Sequence, residues 1–341
     1  MLVFLLLAGC QGESSHTQSA SGEVDESEVA AVSAQTPTSA ETAASTSNET
    51  AASDEAAVTV SNQANASDEA GTSDETATSD KTADTIQQWL EEGLAFWRQT
   101  GDVPALIAYY ADRQLGITYV GGLLDEPDEE QLVVTLAGSD CVIHVEMSLA
   151  LAMTTLQAWT SYDAFRENLM FIRYREGEID GYPSRLHYFS DWLLTNQEKG
   201  LLTILFQEDT LPAIEPPDFM TRRRENYRHL ADDDAMFDKI RAMEEHHADR
   251  LSDRRLAYIP QDRIPEFEDR FRTGDILAFV TTIEGLDITH TGLVKMDGDR
   301  AGFYHASMTG SVIVDPATIH EYTMSRRNVN GIVIARLQSP Q

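Results

Sequence analysis

Residues 139–157, SDCVIHVEMSLALAMTTLQ, contain the most apolar helix that the sequence predicts. Its apolar side chains recur at helical spacing and form one continuous stripe, made of Val142, Val145, Leu149, Ala152 and Leu156. Ser139 and Asp140 precede the stripe and are residue types that cap helices. The stretch therefore predicts a buried helix that begins at Cys141.

The segments around this helix predict an α+β fold. Helical spacing of apolar residues, with Asp102 as a cap and Pro104 in a first turn, predicts helices at 85–99, 102–114, 160–175, 187–197 and 218–250. Short strands are predicted at 132–135 and 201–205. Further along the chain, strand patterns divided by Gly and Asp turns occur at 276–281, 288–295, 302–307, 312–314 and 332–337. Helices followed by strands, without alternation of the two, are typical of α+β proteins.

The composition divides the chain at about residue 84. The protein has 341 residues and a formal net charge of −32. Residues 11–84 carry 15 acidic residues against the single base Lys81, and they contain no Leu, Ile, Met, Phe, Tyr or Trp. Such a segment is predicted to be disordered, which leaves one folded domain at 85–341. Nucleic acid is excluded as a partner, because neither part offers a basic surface.

The first ten residues, MLVFLLLAGC, predict a signal sequence that targets the protein to a membrane. Their apolar run is too short to span a bilayer, and it ends in a sequence that resembles a bacterial lipoprotein signal, with Cys10 as the lipidated residue. No Lys or Arg precedes the run, so an ordinary apolar N-terminus with a chance cysteine is the alternative. The lipoprotein interpretation makes 11–84 a tether and predicts a location at the cell envelope. Gln11 favours the outer membrane if the cell has one.

Cys141 is the candidate nucleophile. A helix N-terminus lowers the pKa of a thiol, and its unpaired N–H groups can stabilise an oxyanion. The N–H groups of Cys141 and Val142 are predicted to have that role. An inert, buried cysteine is the alternative, because free cysteines are common in protein cores.

Two histidines are candidates for the general base. His290 and His305 lie on consecutive predicted strands, and a hairpin would place them side by side, so that one orients the other. His144 is a competitor on the helix of Cys141, whereas His246 and His247 are predicted to be solvated. Strand histidines more often form local hydrogen bonds. With Asp287 the pair would also suggest zinc, but the spacing of a helical two-histidine motif is missing, so no metal is predicted.

Several segments, taken in their order along the chain, resemble a known family. Tyr119-Val-Gly-Gly, Asp140-Cys141, Gly274-Asp-Ile-Leu, His290-Thr-Gly-Leu-Val and Phe303-Tyr-His-Ala-Ser resemble the NlpC-type cysteine peptidases of bacterial cell walls. The segments that begin at Leu115, Ile172, Ser184 and Gly285 resemble more closely the N-acetylmuramoyl-L-alanine amidase-like family of that group. The resemblance covers about residues 100–338. It implies a papain-like fold in which the nucleophile helix packs on a C-terminal antiparallel sheet.

The resemblance also implies roles for individual residues. Cys141 matches the nucleophile, His290 the general base and His305 the residue that orients the base. Tyr119 matches a tyrosine that shapes the site, and Asp140 matches the residue that positions the nucleophile. A family-specific segment is expected to line the substrate groove with Arg185, His187, Tyr188 and Trp192. Core packing is the alternative for Tyr188 and Trp192, and residues 207–262 match no part of the family pattern.

The implied function is hydrolysis of an amide bond in peptidoglycan or muropeptides by a cysteine mechanism without a cofactor. The family favours the bond between N-acetylmuramic acid and L-alanine. A γ-D-glutamyl-diamino acid endopeptidase would use the same three residues. A catalytically silent wall-binding lipoprotein and a thiol acyltransferase are the further alternatives.

Overall fold

The structure is a computed structural model that describes residues 71–308 and 310–338. The predicted signal at 1–10 with Cys10, and residues 11–70 of the predicted tether, lie outside these ranges. Within them, no helix is long and apolar enough to cross a membrane.

Helix α3 (Cys141–Leu156) lies at the centre of the fold and has the predicted bounds to within one residue. It packs against three other helices, α1 (Gly71–Thr100), α2 (Val103–Arg113) and α4 (Tyr162–Arg173), and against two strands of the sheet. Because neighbours surround it, even its polar side chains His144, Glu146 and Ser148 are buried. The remaining helices are α5 (Phe189–Glu198), α6 (Phe219–Arg222), α7 (Arg228–Ala231), α8 (Asp234–Asp253) and α9 (Ile319–Ser325).

The strands form one antiparallel sheet. They are β1 (Leu202–Ile204), β2 (Ile259–Pro260), β3 (Ile276–Thr281), β4 (Ile288–Asp297), β5 (Arg300–Ala306), β6 (Val312–Val314) and β7 (Val329–Leu337). Their order is β1-β7-β3-β4-β5-β6, and β2 also pairs with β7. All side chains of β3 are buried, because α3 and its neighbours cover one face of the sheet while residues 257–271 and α9 cover the other. The protein is therefore an α+β protein with helices packed on a C-terminal antiparallel sheet, as predicted.

Three local predictions differ from the structure. The single helix predicted at 218–250 is divided into α6, α7 and α8. Helix α1 begins at Gly71, fourteen residues before the predicted boundary of the domain. From residue 81 onward, where the side chains are described, the first buried one is Ile86. Extending an existing helix needs no new nucleus, so poor helix formers can continue it. The predicted strand at 132–135 is wrong. Its backbone has no neighbouring strand, and the carbonyl of Val133 accepts a hydrogen bond from Arg173 Nη1 at 2.7 Å instead.

Residues 207–262, which the sequence analysis could not place on the family pattern, form a small helical unit against the main core. Helix α8 is its longest element, and the Asp233 side chain caps it by accepting from the N–H of Met236 at 2.9 Å. A separate apolar cluster joins this unit to the main domain through Tyr182, Tyr188 and Leu286. The unit thereby stands beside the start of α3.

Candidate active site

Asp140 sets the start of α3. Its carboxylate accepts hydrogen bonds from the N–H groups of Val142 at 3.0 Å and Ile143 at 2.8 Å, which makes it the N-cap. This contact corrects one prediction, because the Val142 N–H is already paired and is not free to stabilise an oxyanion. The first helical position has no partner within the helix, so the Cys141 N–H is the backbone donor that α3 offers.

Strand β4 brings His290 to the same place. The Thr291 hydroxyl donates to the Cys141 carbonyl at 2.9 Å and ties the strand to the start of the helix. One residue before His290, Thr289 is the extra residue of a β-bulge opposite Phe279 and Val280. Bulges bend a strand and change the direction of its side chains. Cys141 and His290 border one cavity as a result.

The hairpin of β4 and β5 joins the two predicted histidines. His290 Nε2 lies 2.7 Å from His305 Nδ1, because the two residues occupy diagonal positions on one face of the strand pair. His305 Nε2 in turn lies 3.0 Å from the carboxylate of Asp315, a residue that the sequence analysis did not single out. The relevant signal is an acidic residue directly after β6, the strand that pairs with β5.

Aromatic rings enclose the histidine pair. Tyr322 of α9 stacks on His290 at 6.3 Å and meets His305 edge-on at 5.8 Å between ring centroids. Phe279 stacks on His290 at 5.9 Å, and Phe303 lies 4.9 Å from His305. This packing removes water from both imidazoles, which makes a positive charge on either of them costly.

Burial keeps the resting groups neutral. It raises the pKa of the Cys141 thiol, and the neighbouring Asp140 acts in the same direction. Burial lowers the pKa of His290, as do the charges of His305 and Arg326. Burial also lowers the pKa of His305, although Asp315 opposes this shift. These shifts favour a neutral thiol and a neutral imidazole in the resting site, whereas a helix N-terminus favours the thiolate.

Some of the other predicted site residues border the cavity. Asp140, Arg185 and His187 line it together with Cys141 and His290. Arg185 is held by two carboxylates, those of Asp125 and of Glu130, the latter at 3.1 Å. The backbone of Tyr119 bridges to Ser139, just before Asp140. Burial raises the pKa of Tyr119, and so does the proximity of Cys141 and Asp140, so this phenol stays protonated.

Tyr188 and Trp192 do not line the cavity but belong to the core, which corrects the prediction of a groove position. The Tyr188 hydroxyl donates to Glu244 at 2.6 Å, and Trp192 Nε1 donates to Glu146 at 3.1 Å. His247 is also buried, contrary to its prediction, and its Nε2 lies 2.7 Å from the Ser190 hydroxyl. The polar groups of these three residues form hydrogen bonds between α5 and its neighbours, so they stabilise the fold.

The cavity over Cys141 is narrow and partly open to the surface. Its volume is about 60 Å³. One side of its rim joins α7 to the loop after Gly122. Arg228 donates to the Glu126 carbonyl at 2.6 Å and pairs with Asp128, while His229 Nε2 lies 3.2 Å from the Asp125 carbonyl. Opening of this rim would widen the cavity for a larger ligand.

Replacing Arg228 with alanine is expected to speed alkylation of Cys141 by up to about fivefold, because an exposed ion pair contributes at most about 1 kcal/mol to the closed state. Iodoacetamide labelling, read by mass spectrometry on the Cys141 peptide, measures this rate. Arg241→Ala is the matched control, since Arg241 forms exposed pairs with Asp238 and Glu245 on the same helical unit. Equal rates in both variants would contradict opening at this rim.

Helix α3 also carries a histidine that predicts the acid sensitivity of the fold. His144 has no exposed surface, and its ring nitrogens have no hydrogen-bond partner among the described residues. Burial, with a further contribution from His305, lowers the pKa of His144 from 6.5 to about 3. As the pH falls, the His144 imidazole is therefore protonated in the unfolded chain before it is protonated in the folded one. The free energy of unfolding is highest above pH 6.5 and decreases as the pH falls from 6.5 towards 3.

Between pH 7.5 and pH 5, protonation of His144 should cost the wild type about 2 kcal/mol of unfolding free energy. We expect His144→Leu to lose that much less over the same pH range. Urea unfolding at a series of pH values measures the effect. His246→Leu is the matched control, because it makes the same replacement at a histidine that is exposed on α8. The argument fails if both variants keep the wild-type slope.

The helices on an antiparallel sheet, and a buried thiol and imidazole at one cavity, place the chain in the class of amidase-like hydrolases. More specifically, the chain belongs to the AmiA-like, N-acetylmuramoyl-L-alanine amidase-like family, whose model matches residues 110–332. This membership confirms the resemblance that the sequence motifs carry. No curated protein matches the chain by sequence.

Several solved structures have a fold similar to that of this protein. An N-acetylmuramoyl-L-alanine amidase from Bacteroides uniformis matches with a TM-score of 0.64 and 28% identity, over 69% of this chain and 99% of that one. A Bacteroides fragilis protein, named as a candidate xylanase, matches with a TM-score of 0.60 and 29% identity, over 67% and 98%. A Legionella pneumophila protein has the same fold at 20% identity, with a TM-score of 0.57 over 77% and 96%.

Proposed function

We propose that this protein hydrolyses an amide bond in the peptide stem of peptidoglycan, with Cys141 as nucleophile and His290 as general base. The observation that carries the proposal is the shared cavity of these two residues, with His290 hydrogen-bonded through His305 to Asp315. Family membership and the Bacteroides uniformis amidase favour the bond between N-acetylmuramic acid and L-alanine. The arrangement is of the papain-like kind.

The reaction begins from the neutral pair. His290 takes the proton of Cys141 Sγ as the sulfur attacks the amide carbonyl, and the Cys141 N–H stabilises the oxyanion. The imidazolium then gives its proton to the leaving amine, the C–N bond breaks and a thioester forms. Water attacks the thioester with His290 again as base, which releases the carboxylic acid and restores the thiol.

Product analysis tests this function. Purified muropeptides are incubated with the full chain and with its Cys141→Ala variant, and the products are identified by mass spectrometry. Free stem peptide and sugar, formed by the wild type alone, would establish a muramoyl-alanine amidase.

Three other outcomes correspond to the alternatives. Wild-type products split after D-glutamate would make the protein an endopeptidase that uses the same residues. Transfer of the acyl group to an added amine, in place of hydrolysis, would make it an acyltransferase. Binding to peptidoglycan without any product would favour a wall-binding protein and overturn the proposal.

We also propose that the chain is anchored to the cell envelope through a lipid on Cys10. The apolar run that ends in Leu-Ala-Gly-Cys, followed by a long acidic segment, supports this proposal. Labelling of cells with a radioactive or clickable fatty acid should mark the wild type and not Cys10→Ala. Labelling of both or of neither would contradict the anchor.

A further inference from the structure

Asp315 is a carboxylate that its surroundings hold in place. Its backbone N–H donates to the Phe303 carbonyl at 2.9 Å, and one carboxylate oxygen, Oδ1, accepts from the N–H of Ala317 at 2.8 Å. The other oxygen, Oδ2, lies 3.0 Å from His305 Nε2. The side chain is 12% exposed, so little water competes for these contacts.

This contact dictates where the protons of both imidazoles reside. An ionised carboxylate only accepts hydrogen bonds, so His305 must carry a proton on Nε2. Neutral His305 then has a bare Nδ1, which accepts from His290 Nε2–H across the 2.7 Å contact. His290 uses its single proton in that bond, and its Nδ1 is therefore the bare nitrogen.

We infer that Asp315 is a positioning residue that fixes the tautomers of His305 and His290, so that His290 Nδ1 is the atom that accepts the proton of Cys141. The inference deepens the proposed function, because it assigns the proton path of the same site. In the first step the S–H bond breaks and an N–H bond forms at His290 Nδ1. The other protons of the chain stay on their nitrogen atoms.

Asp315 also acts on the charge that this step creates. The imidazolium of His290 is disfavoured by burial and by the nearby side chains of His305, Arg326 and His144. Tyr322 packs on both histidines and stays neutral, since burial raises its pKa. The carboxylate of Asp315 lies one imidazole away and stabilises the positive charge through the hydrogen-bonded chain.

Asp315→Asn provides a sharp test because it keeps the shape of the side chain. The Ala317 N–H requires an oxygen at its contact, so the amide NH₂ faces His305 Nε2 and makes that atom an acceptor. His305 then carries its proton on Nδ1 and donates to His290 Nε2, and the proton of His290 moves to its Nδ1, which can no longer accept one. Asp315→Ala imposes no tautomer, so it should impair the site less than the asparagine does.

The readouts are the ¹⁵N NMR signatures of the two imidazoles and the kcat for muropeptides, both on the full chain. We expect the asparagine variant to show exchanged nitrogen signatures at His305 and His290. We expect its kcat to fall by about 10³-fold or more with little change in KM, whereas alanine should cost about tenfold less. Asp299→Asn, an exposed acid outside this network, is the control for the loss of one charge.

The outcomes separate the inference from the proposed function. Unchanged imidazole signatures in a folded asparagine variant would overturn the inference, and so would a kcat no lower than that of the alanine variant. Exchanged signatures without turnover of any muropeptide by the wild type would support the inference and reject the proposed function. Circular dichroism and Asp315→Glu, which restores the acceptor, guard against a loss of folding.

Discussion

Replacing Cys141 with alanine is expected to reduce the turnover of muropeptides by about 10⁴-fold or more. The variant lacks the sulfur that forms the thioester, and the remaining donors cannot supply a covalent intermediate. Cys141→Ser should be nearly as inactive, because a hydroxyl is far less acidic than a thiol and His290 has its pKa lowered by burial. Rates of product formation, measured by chromatography of muropeptides, give the size of the effect.

Cys10→Ala is the matched control, since it replaces the other cysteine of the chain and should leave turnover unchanged. Cys141→Ala should stay folded, because the substitution removes one sulfur atom at a residue that is 7% exposed. Thermal unfolding checks this point. Activity of Cys141→Ala within tenfold of the wild type would reject the thiol mechanism.

Replacing Glu146 with leucine is expected to lower the free energy of unfolding by about 3–5 kcal/mol. Arg173 Nε lies 2.7 Å from the Glu146 carboxylate, and both side chains are 2% exposed. The substitution leaves the Arg173 guanidinium charged and buried, and it also leaves Trp192 Nε1 without its acceptor. The loss is large compared with a total stability of about 5–15 kcal/mol for a typical domain. Urea unfolding at pH 7.5 measures it.

The double variant Glu146→Leu with Arg173→Met should recover much of this loss, because it removes both buried charges. Asp238→Ala is the exposed control and should cost less than about 1 kcal/mol, since Asp238 and Arg241 are mostly in water. A double variant as unstable as Glu146→Leu would show that the packing of these side chains matters more than their charges.

The arrangement of the core could be predicted from the sequence because it depends on local patterns. The stripe of α3, its capping aspartate and the strands β3 to β7 all follow from spacing over a few residues. The pairing of His290 with His305 also follows, since a hairpin joins strands that are close in sequence. The predicted strand at 132–135 fails for the complementary reason, because a strand needs a partner that its own sequence does not reveal.

The details of the site depend on contacts between distant segments. Asp315 became part of the histidine network because β6 pairs with β5, and Tyr188 and Trp192 became core residues because α5 meets α3 and α8. The capping contact of Asp140 removed Val142 as an oxyanion donor. The exposure of His247 was also predicted wrongly, because this side chain of a charged helix packs towards Ser190 and not towards water.

The sequence by itself determined the class of the fold, the family, and the identity of Cys141, His290 and His305 as candidates, because each of these is written in residue types at short spacing. The tertiary structure decided the directions in which the pKa values of Cys141 and His290 shift and the hydrogen-bond partners of the two imidazoles. Both depend on burial and on which atoms meet across strands and helices. The aromatic enclosure that keeps the thiol and imidazoles neutral, and the carboxylate of Asp315 that orients them, exist only once these segments are packed together.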